Sequence, residues 1–412
     1  MEQYYFECQN CKKRFPYGDR NICSDCGGIL VIRYGAEYMQ EAEKKMKAKE
    51  RESIWDYAPV FPKIQAKNVV SFREGNTPLV KSREMAQKLD MTELYFKDET
   101  KNPTGSFKDR AISVCVSVAK ELGYKGIAAA SSGNGGASTS AYGVKGGLPT
   151  IIFVPETTPQ GKVTQAITYG GSVIKVKGNF SRSFLAARQM AEKEGYMNVT
   201  TTYQNPWGIE GYKTLAYEIY DDLGKEPDTV ILPVGDGPIL YGVYKGFSEL
   251  REMGRINKVP RLICVQAKGC APIAEAWIQG KKVEAWENPC TVASAISDPL
   301  KGYEEDGELT VKAVKETDGY ACTPDDMEIL EAGRTLARTE GLYVEPSSAA
   351  AAAALMKLRE EKVIGRDDCC VCILTGHGLK DCSAYVPEKY EALVINQIEE
   401  IPEEYLRGDS GC

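Results

Sequence analysis

From about Pro59 onward the chain alternates short β-branched or apolar runs with helical stretches, and few architectures accommodate that pattern. Leu94–Lys97, Ile127–Ala130, Thr150–Val154, Ser172–Val176, Thr229–Leu232, Leu262–Val265 and Val371–Leu374 read as strands. Between them Phe107–Leu122, Gly161–Tyr169, Phe180–Lys193, Gly211–Leu223 and Pro324–Glu340 read as helices. Strands separated by helices cannot pair as hairpins, so the pattern predicts an α/β fold of parallel sheets covered by helices on both faces. In such sheets ligands bind at the carboxyl ends of strands, where several of these runs end in Gly- or Ser-rich turns. The Ala349–Ala354 run follows Glu345-Pro346-Ser347-Ser348 and is expected to form a close-packed helix with a capped start.

Composition narrows the functional classes. A length of 412 residues suits two or three globular units, and the formal charge of −7 carries no basic stripe that would suit nucleic acid. The longest apolar run, Ala349–Met356, is too short to span a membrane, and Met1-Glu2-Gln3-Tyr4 opens no secretory signal, so a cytoplasmic protein with reduced thiols is expected. The single histidine, His377, excludes any zinc site that needs two histidines. Glu41–Glu50, charged and without Gly or Pro, reads as a solvated helical arm.

Four of the 14 cysteines form two Cys-x-x-Cys pairs, Cys8/Cys11 and Cys23/Cys26, eleven residues apart, with Gly27-Gly28 beside the second. Thiolates presented from two tight turns suit tetrahedral zinc, and reduced or redox-active dithiols are the plainer alternative. Four thiolates close the coordination sphere, so a metal here would be structural. Cys369, Cys370 and Cys372 lie on or beside an apolar strand and read as core.

The densest chemistry lies at Asn102-Pro-Thr-Gly-Ser-Phe-Lys108-Asp-Arg110. A turn leads to Ser106, a residue suited to cap a helix, and Lys108 falls in that helix's first turn. A cation at the positive end of a helix is misplaced by up to about 1 kcal/mol, and burial lowers its basicity further, as an amine that forms Schiff bases requires. A surface lysine paired with Asp109 is the alternative. Three Gly-rich turns follow strands elsewhere: Ser131-Ser132-Gly133-Asn134-Gly135-Gly136, Gly235-Asp236-Gly237-Pro238-Ile239-Leu240 and Thr375-Gly376-His377-Gly378. Each alone is weak evidence; together with the lysine they form a specific set of anion-binding strand ends.

With these segments in view, the chain from about Arg73 to Asp381 resembles the pyridoxal-phosphate enzymes of the tryptophan-synthase β fold (fold type II), and among them the threonine synthases. The resemblance rests on the lysine segment, on Gly178-Asn179-Phe180 and on Thr375-Gly-His-Gly-Leu-Lys-Asp381. It implies a zinc-ribbon-like segment at 1–35, a helical arm at 36–58, a large pyridoxal-phosphate domain from 59–106 and 200–398, a small one at 107–199, and a tail at 399–412. It further implies that Lys108 carries the cofactor aldehyde as a Schiff base, that Asn134 bonds the cofactor's phenolic oxygen, and that the loop Gly235, Asp236, Gly237, Pro238, Ile239 binds its phosphate. Thr375 would face the pyridine nitrogen, and Ser131, Ser132, Gly133 and Gly135 would take the substrate carboxylate. A hydroxyl at the pyridine nitrogen makes a milder electron sink than a carboxylate, which suits expulsion of a leaving group. A small amino-acid substrate and a homodimer are implied, and His377 reads as an architectural turn residue.

Five positions depart from the threonine synthase pattern. Thr202-Tyr203 and Gly208 stand where that family offers Asn-Ser and an arginine to the phosphate of O-phosphohomoserine, and Gly135 stands for a threonine of the carboxylate loop. Asp236 replaces a common Asn in the cofactor-phosphate loop. A carboxylate aimed at a phosphate is repelled, so Asp236 is expected to turn away or to cap a helix, and Pro238 to take its first position. The leading expectation is elimination or replacement at Cβ or Cγ of a small amino acid. Its alternatives are an ammonia lyase resembling threonine dehydratase or diaminopropionate lyase, and a β-replacing enzyme resembling cysteate synthase. A zinc-ribbon binding protein with a silent scaffold is the reading from another class.

Overall fold

The computed structural model describes residues 3–46, 51–178, 180–382, 384–386 and 392–403. Its strands, in chain order, are β1 Tyr4–Cys8, β2 Arg14–Pro16, β3 Leu30–Tyr34, β4 Leu79–Lys81, β5 Glu93–Asp98, β6 Gly126–Ala130, β7 Thr150–Pro155, β8 Ser172–Val176, β9 Tyr196–Asn198, β10 Thr229–Pro233, β11 Arg261–Val265, β12 Tyr320–Cys322 and β13 Cys369–Leu374. They form three sheets. An antiparallel sheet of order β2-β1-β3 holds the cysteine pairs. A six-stranded sheet of order β12-β11-β10-β13-β5-β4 is parallel except for the β4/β5 pair, and a four-stranded sheet of order β8-β7-β6-β9 is parallel throughout.

The seven strands read from the sequence all form. β6, β10 and β13 are buried along their whole length, as strands covered on both faces must be, so Cys369, Cys370 and Cys372 are core residues. The apolar-run reading missed β4, β9 and β12, each only three residues long, and the ribbon strands. Ala349–Ala354 are fully buried in the helix Pro346–Glu360, which packs on the helix Asp326–Thr335 and against β10 and β13; side chains this small let the backbones approach.

Several local expectations are corrected. Ser347 and Ser348 do not cap that helix: Pro346 takes the first position, for which its fixed φ is suited, and Glu345 precedes it. Helix Pro206–Leu223 begins five residues before the expected Gly211, because Asn205 caps it through Gly208 N–H and Pro206 starts it. Helix Ala36–Lys45 of the arm buries Met39 and Ala42 on one face; residues 47–50 and 404–412, and Asn179 of the Gly178-Asn179-Phe180 segment, lie outside the described residues. Among the described residues no helix is long and apolar enough to cross a membrane.

The ribbon sheet docks on helix Pro206–Leu223. Tyr34 OH donates to Glu210 Oε2 at 2.5 Å, Trp207 Nε1 donates to Tyr17 OH at 3.2 Å, and Phe6 meets the Trp207 ring edge-on at 6.0 Å. Lys213 Nζ lies 4.3 Å from the Tyr34 ring centroid and 2.8 Å from Glu210, a cation–π and ion-pair cluster with no exposed side chain.

Candidate active site

Both parallel sheets reverse strand order once, and the cavity lies between the two reversals. In the large sheet β10 leads to Gly235 and β13 to Thr375; in the small sheet β6 leads to Ser131 and β9 to Thr201. All four positions are carboxyl ends of parallel strands at a switch point, where neighbouring chains leave in opposite directions and open a crevice. The cavity occupies about 550 Å³, and Lys108 also lines a smaller recess of about 30 Å³.

Lys108 is the first residue of helix Lys108–Glu121, and its Nζ donates to Thr201 Oγ1 at 2.6 Å. Burial lowers the basicity of this amine, partly offset by the negative charges of Asp236, Asp298 and Glu345. Phe107, rather than Ser106, occupies the cap position, and Ser106 Oγ is buried without a hydrogen-bond partner among the described residues. Lys108 is not paired with Asp109 either. The Asp109 carboxylate accepts from Thr104 N–H (2.7 Å), Thr104 Oγ1 (2.6 Å) and Ser138 Oγ (2.6 Å), tying the lysine segment to the neighbouring helix and leaving the amine to the cavity.

The next residue holds the helix from behind. Arg110, fully buried, bonds Glu99 through Nε at 2.6 Å and Glu218 through Nη1 at 2.6 Å, and Lys97 Nζ reaches Glu218 Oε2 at 2.9 Å. Its charge holds the Glu218 carboxyl well below the usual carboxylate range despite burial.

The C-terminal motif closes the site by backbone bonds. Phe107 N–H donates to Thr375 O at 3.0 Å, His377 N–H to Gly105 O at 3.0 Å, and Glu345 N–H to Gly376 O at 3.0 Å. Thr375 is thereby held on the cavity wall. His377 Nδ1 accepts from Leu379 N–H at 3.1 Å as the cap of a short turn, the architectural role expected. Gly376 is required: a Cβ there would lie 2.4 Å from Glu345 Oε1 and 3.1 Å from Asn134 Nδ2, the pair joined by a 2.8 Å hydrogen bond. Burial pushes the Glu345 carboxyl up to about 7, opposed by Lys380 and by the Asn134 bond.

Ser131, Ser132, Gly133, Asn134 and Gly135 line one side of the cavity, and Gly235, Asp236, Pro238 and Ile239 another. Helices Asn134–Gly146 and Pro238–Glu252 start at these two loops from Gly133 and Gly237, and neither start has a side-chain cap. Each therefore presents free N–H groups and the positive end of a helix, as an anion requires. Pro238 takes the first helical position as expected. Gly237, not Asp236, is the cap residue, at φ +116°, and a Cβ there would lie 1.8 Å from Thr310 Oγ1. The expectation that Asp236 turns away is corrected: its side chain lines the cavity, and burial, opposed by Lys108, pushes its carboxyl up to about 7. Burial thus favours the protonated form, which donates to an anion rather than repelling it.

An amine of lowered basicity between two uncapped helix starts fits pyridoxal phosphate: a nucleophile for the aldehyde, a cradle for the phosphate, and a second anion site for a substrate carboxylate. Thr201, Glu345, Tyr212 and Asp298 also line this cavity and were not singled out from the sequence. The run Thr200-Thr201-Thr202 after a short strand was the one available signal. Tyr212 OH is buried beside the Thr201 side chain.

Away from this cavity, the Sγ atoms of Cys8, Cys11, Cys23 and Cys26 all lie within 4.8 Å of one another. Two of the separations, Cys8 to Cys26 at 3.5 Å and Cys11 to Cys23 at 3.7 Å, approach the sulfur spacing of about 3.8 Å that a tetrahedron of Zn–S bonds requires. Burial pushes the Cys8 thiol up to about 12, while hydrogen bonds from the Asp25 and Cys26 backbone outweigh burial at Cys23 and bring it down to about 7.

Comparison with known proteins agrees with this geometry. The family pattern described as "Pyridoxal-phosphate dependent enzyme" matches residues 70–376. The threonine synthase of Methanocaldococcus jannaschii is 39% identical over 94% of this chain and 96% of its own length, and that of Methanosarcina acetivorans 38% identical over 95% and 96%. Maize serine racemase superposes with a TM-score of 0.66 at 21% identity, covering 85% of this chain and 95% of its own, which is a likeness of fold. The chain therefore belongs to the pyridoxal-phosphate dependent enzyme family, in its threonine synthase branch.

Proposed function

We propose that this protein is a pyridoxal-phosphate dependent lyase or synthase, threonine synthase-like in its chemistry, that eliminates or replaces a substituent at Cβ or Cγ of a small amino acid. The observation that carries this reading is the Lys108 amine, of lowered basicity, facing a cavity flanked by two uncapped helix starts. When bound, pyridoxal phosphate supplies an electron sink conjugated to the substrate's Cα. Ser131 to Gly135 bind the α-carboxylate with backbone N–H groups, fixing which Cα–H bond faces Lys108. The Lys108 Nζ takes that proton, and its lowered basicity suits the transfer near neutral pH. Thr201 Oγ1 holds Nζ in place between transfers, Asn134 and Thr375 orient the cofactor ring, and the Gly235–Ile239 loop holds its phosphate. The test is a panel of amino acids with the loaded enzyme, following ammonia, keto acid and inorganic phosphate. Release of any of them, dependent on the cofactor, supports the reading; inertness toward the whole panel overturns it.

The zinc assignment rests on the four-sulfur cluster. We infer a structural zinc held by Cys8, Cys11, Cys23 and Cys26, which fixes the ribbon sheet and, through Tyr34 and Phe6, its seat on Trp207 and Glu210. Metal analysis of the purified protein should find about one zinc per chain. Cys23→Ser should lower that content and lower the thermal midpoint. Full zinc occupancy in the variant would reject these ligands.

A further inference from the structure

One stretch of the cavity wall is built by Ser294, Ala295, Ser297, Asp298 and Pro299, and none of these is a cation. Of the lysines around the cavity, Lys108 is committed to the cofactor in the reading above. Lys380 Nζ donates to Gln165 Oε1 at 2.8 Å, and Lys162 is exposed on helix Gln160–Thr168. The positions from which the family's substrate-phosphate ligands would come supply no replacement. Gly208 is covered by Asn205 and Ala111, and Tyr203 spends its hydroxyl on Thr310 at 2.8 Å.

Asp298 is a fixed group on this wall. Its Oδ1 accepts from Leu300 N–H at 2.9 Å and from Tyr303 OH at 2.6 Å, and Tyr303 is buried with its ring 5.8 Å from that of Phe184. Both donors fall on one oxygen, so Oδ2 is left without a hydrogen-bond partner among the described residues. Unlike the fully buried Glu99, Glu210 and Glu218, the half-buried Asp298 joins no ion pair among the described residues. The space a Cβ on Gly235 would occupy lies 3.8 Å from Asp298 Cβ, which places the Asp298 Cβ beside the loop that begins at the end of β10.

We propose that Asp298 selects the substrate's side chain: its free Oδ2 receives a cationic hydrogen-bond donor, so the amino acid this site accepts carries an amine at Cβ or Cγ rather than a phosphate ester. The proposal rests on the functional reading above and names its substrate class. A charge-assisted hydrogen bond to a carboxylate held by two donors needs no reorganisation when the ammonium arrives. A phosphate in the same place meets a like charge in a partly dehydrated cavity. Burial raises the Asp298 carboxyl above its ordinary range, and an ammonium beside Oδ2 favours the charged form again.

The test uses the full-length, cofactor-loaded enzyme with 2,3-diaminopropionate, 2,4-diaminobutyrate, O-phosphoserine and O-phosphohomoserine. Binding is read from the cofactor absorbance and turnover from kcat/KM. The diamino acids are expected to bind at least about tenfold more tightly than their phosphorylated counterparts. Asp298→Asn should lower the ratio of kcat/KM for diamino over phosphorylated substrates at least about tenfold, with the cofactor absorbance retained. Tyr303→Phe, which removes one donor from Oδ1, should lower it less. A wild-type preference for the phosphorylated amino acids, or a ratio unchanged in Asp298→Asn, overturns the selection by Asp298 and leaves the functional reading standing. A wild-type enzyme with no cofactor absorbance overturns the functional reading and this inference with it.

Discussion

Lys108→Ala should abolish both the Schiff-base absorbance of the loaded enzyme and its turnover, with kcat falling by at least about a thousandfold. Two losses combine. The covalent anchor for the cofactor disappears, and so does the base placed to take the α-proton; no other amine takes its place, because Lys380 is bonded to Gln165 and Lys162 is exposed on another helix. Borohydride reduction of the wild-type enzyme should leave the cofactor on the peptide containing residue 108 and, in the variant, on none. The fold should survive the change, since Lys108 supports no ion pair among the described residues and its one hydrogen bond, to Thr201, opens onto the cavity. A variant that retains both absorbance and turnover would reject Lys108.

The largest effect on stability is expected two residues further on. Arg110→Met should lower stability by about 3–5 kcal/mol, because it leaves Glu99 and Glu218 buried with a single nearby cation, Lys97, for two carboxylates. The penalty is the cost of stranded charge rather than the worth of the pair, so adding Glu99→Gln to Arg110→Met should recover part of it. Urea unfolding monitored by tryptophan fluorescence measures both, since Trp55 Nε1 bonds Glu74 and Ser113 beside this region. The Arg110→Met protein should also bind the cofactor less tightly, because Arg110 fixes the helix whose first residue is Lys108. An unfolding midpoint within error of wild type would show that the network contributes nothing net.

The lysine segment shows how far local pattern carries. Turn residues, a lysine at a helix start and three Gly-rich strand ends are each written in short runs, and the structure draws them to one cavity. Ser106 marks where local pattern stops. A serine before a helix is a good cap in isolation, yet here Phe107 is drawn to Thr375 O by a backbone bond from a segment more than 250 residues away, and the cap position moves with it. Asp236 is a second case. Its expected avoidance of an anion assumed full charge, and burial in the folded protein removes that assumption.

The sequence alone determined the parallel α/β architecture, because long buried strands must be apolar throughout and crossover helices need their own length of chain. It also marked the lysine at a helix start and the four-cysteine cluster, because both are written in runs of a few residues. Only the tertiary structure decided that Thr201 holds the amine, that Glu345 bonds Asn134 across Gly376, and that Asp298 lines the cavity with both its donors on one oxygen. Those contacts join residues carried on different strands and loops. Their short polar side chains have no periodicity of their own, and they acquire a role only where the two sheets bring their strand ends together.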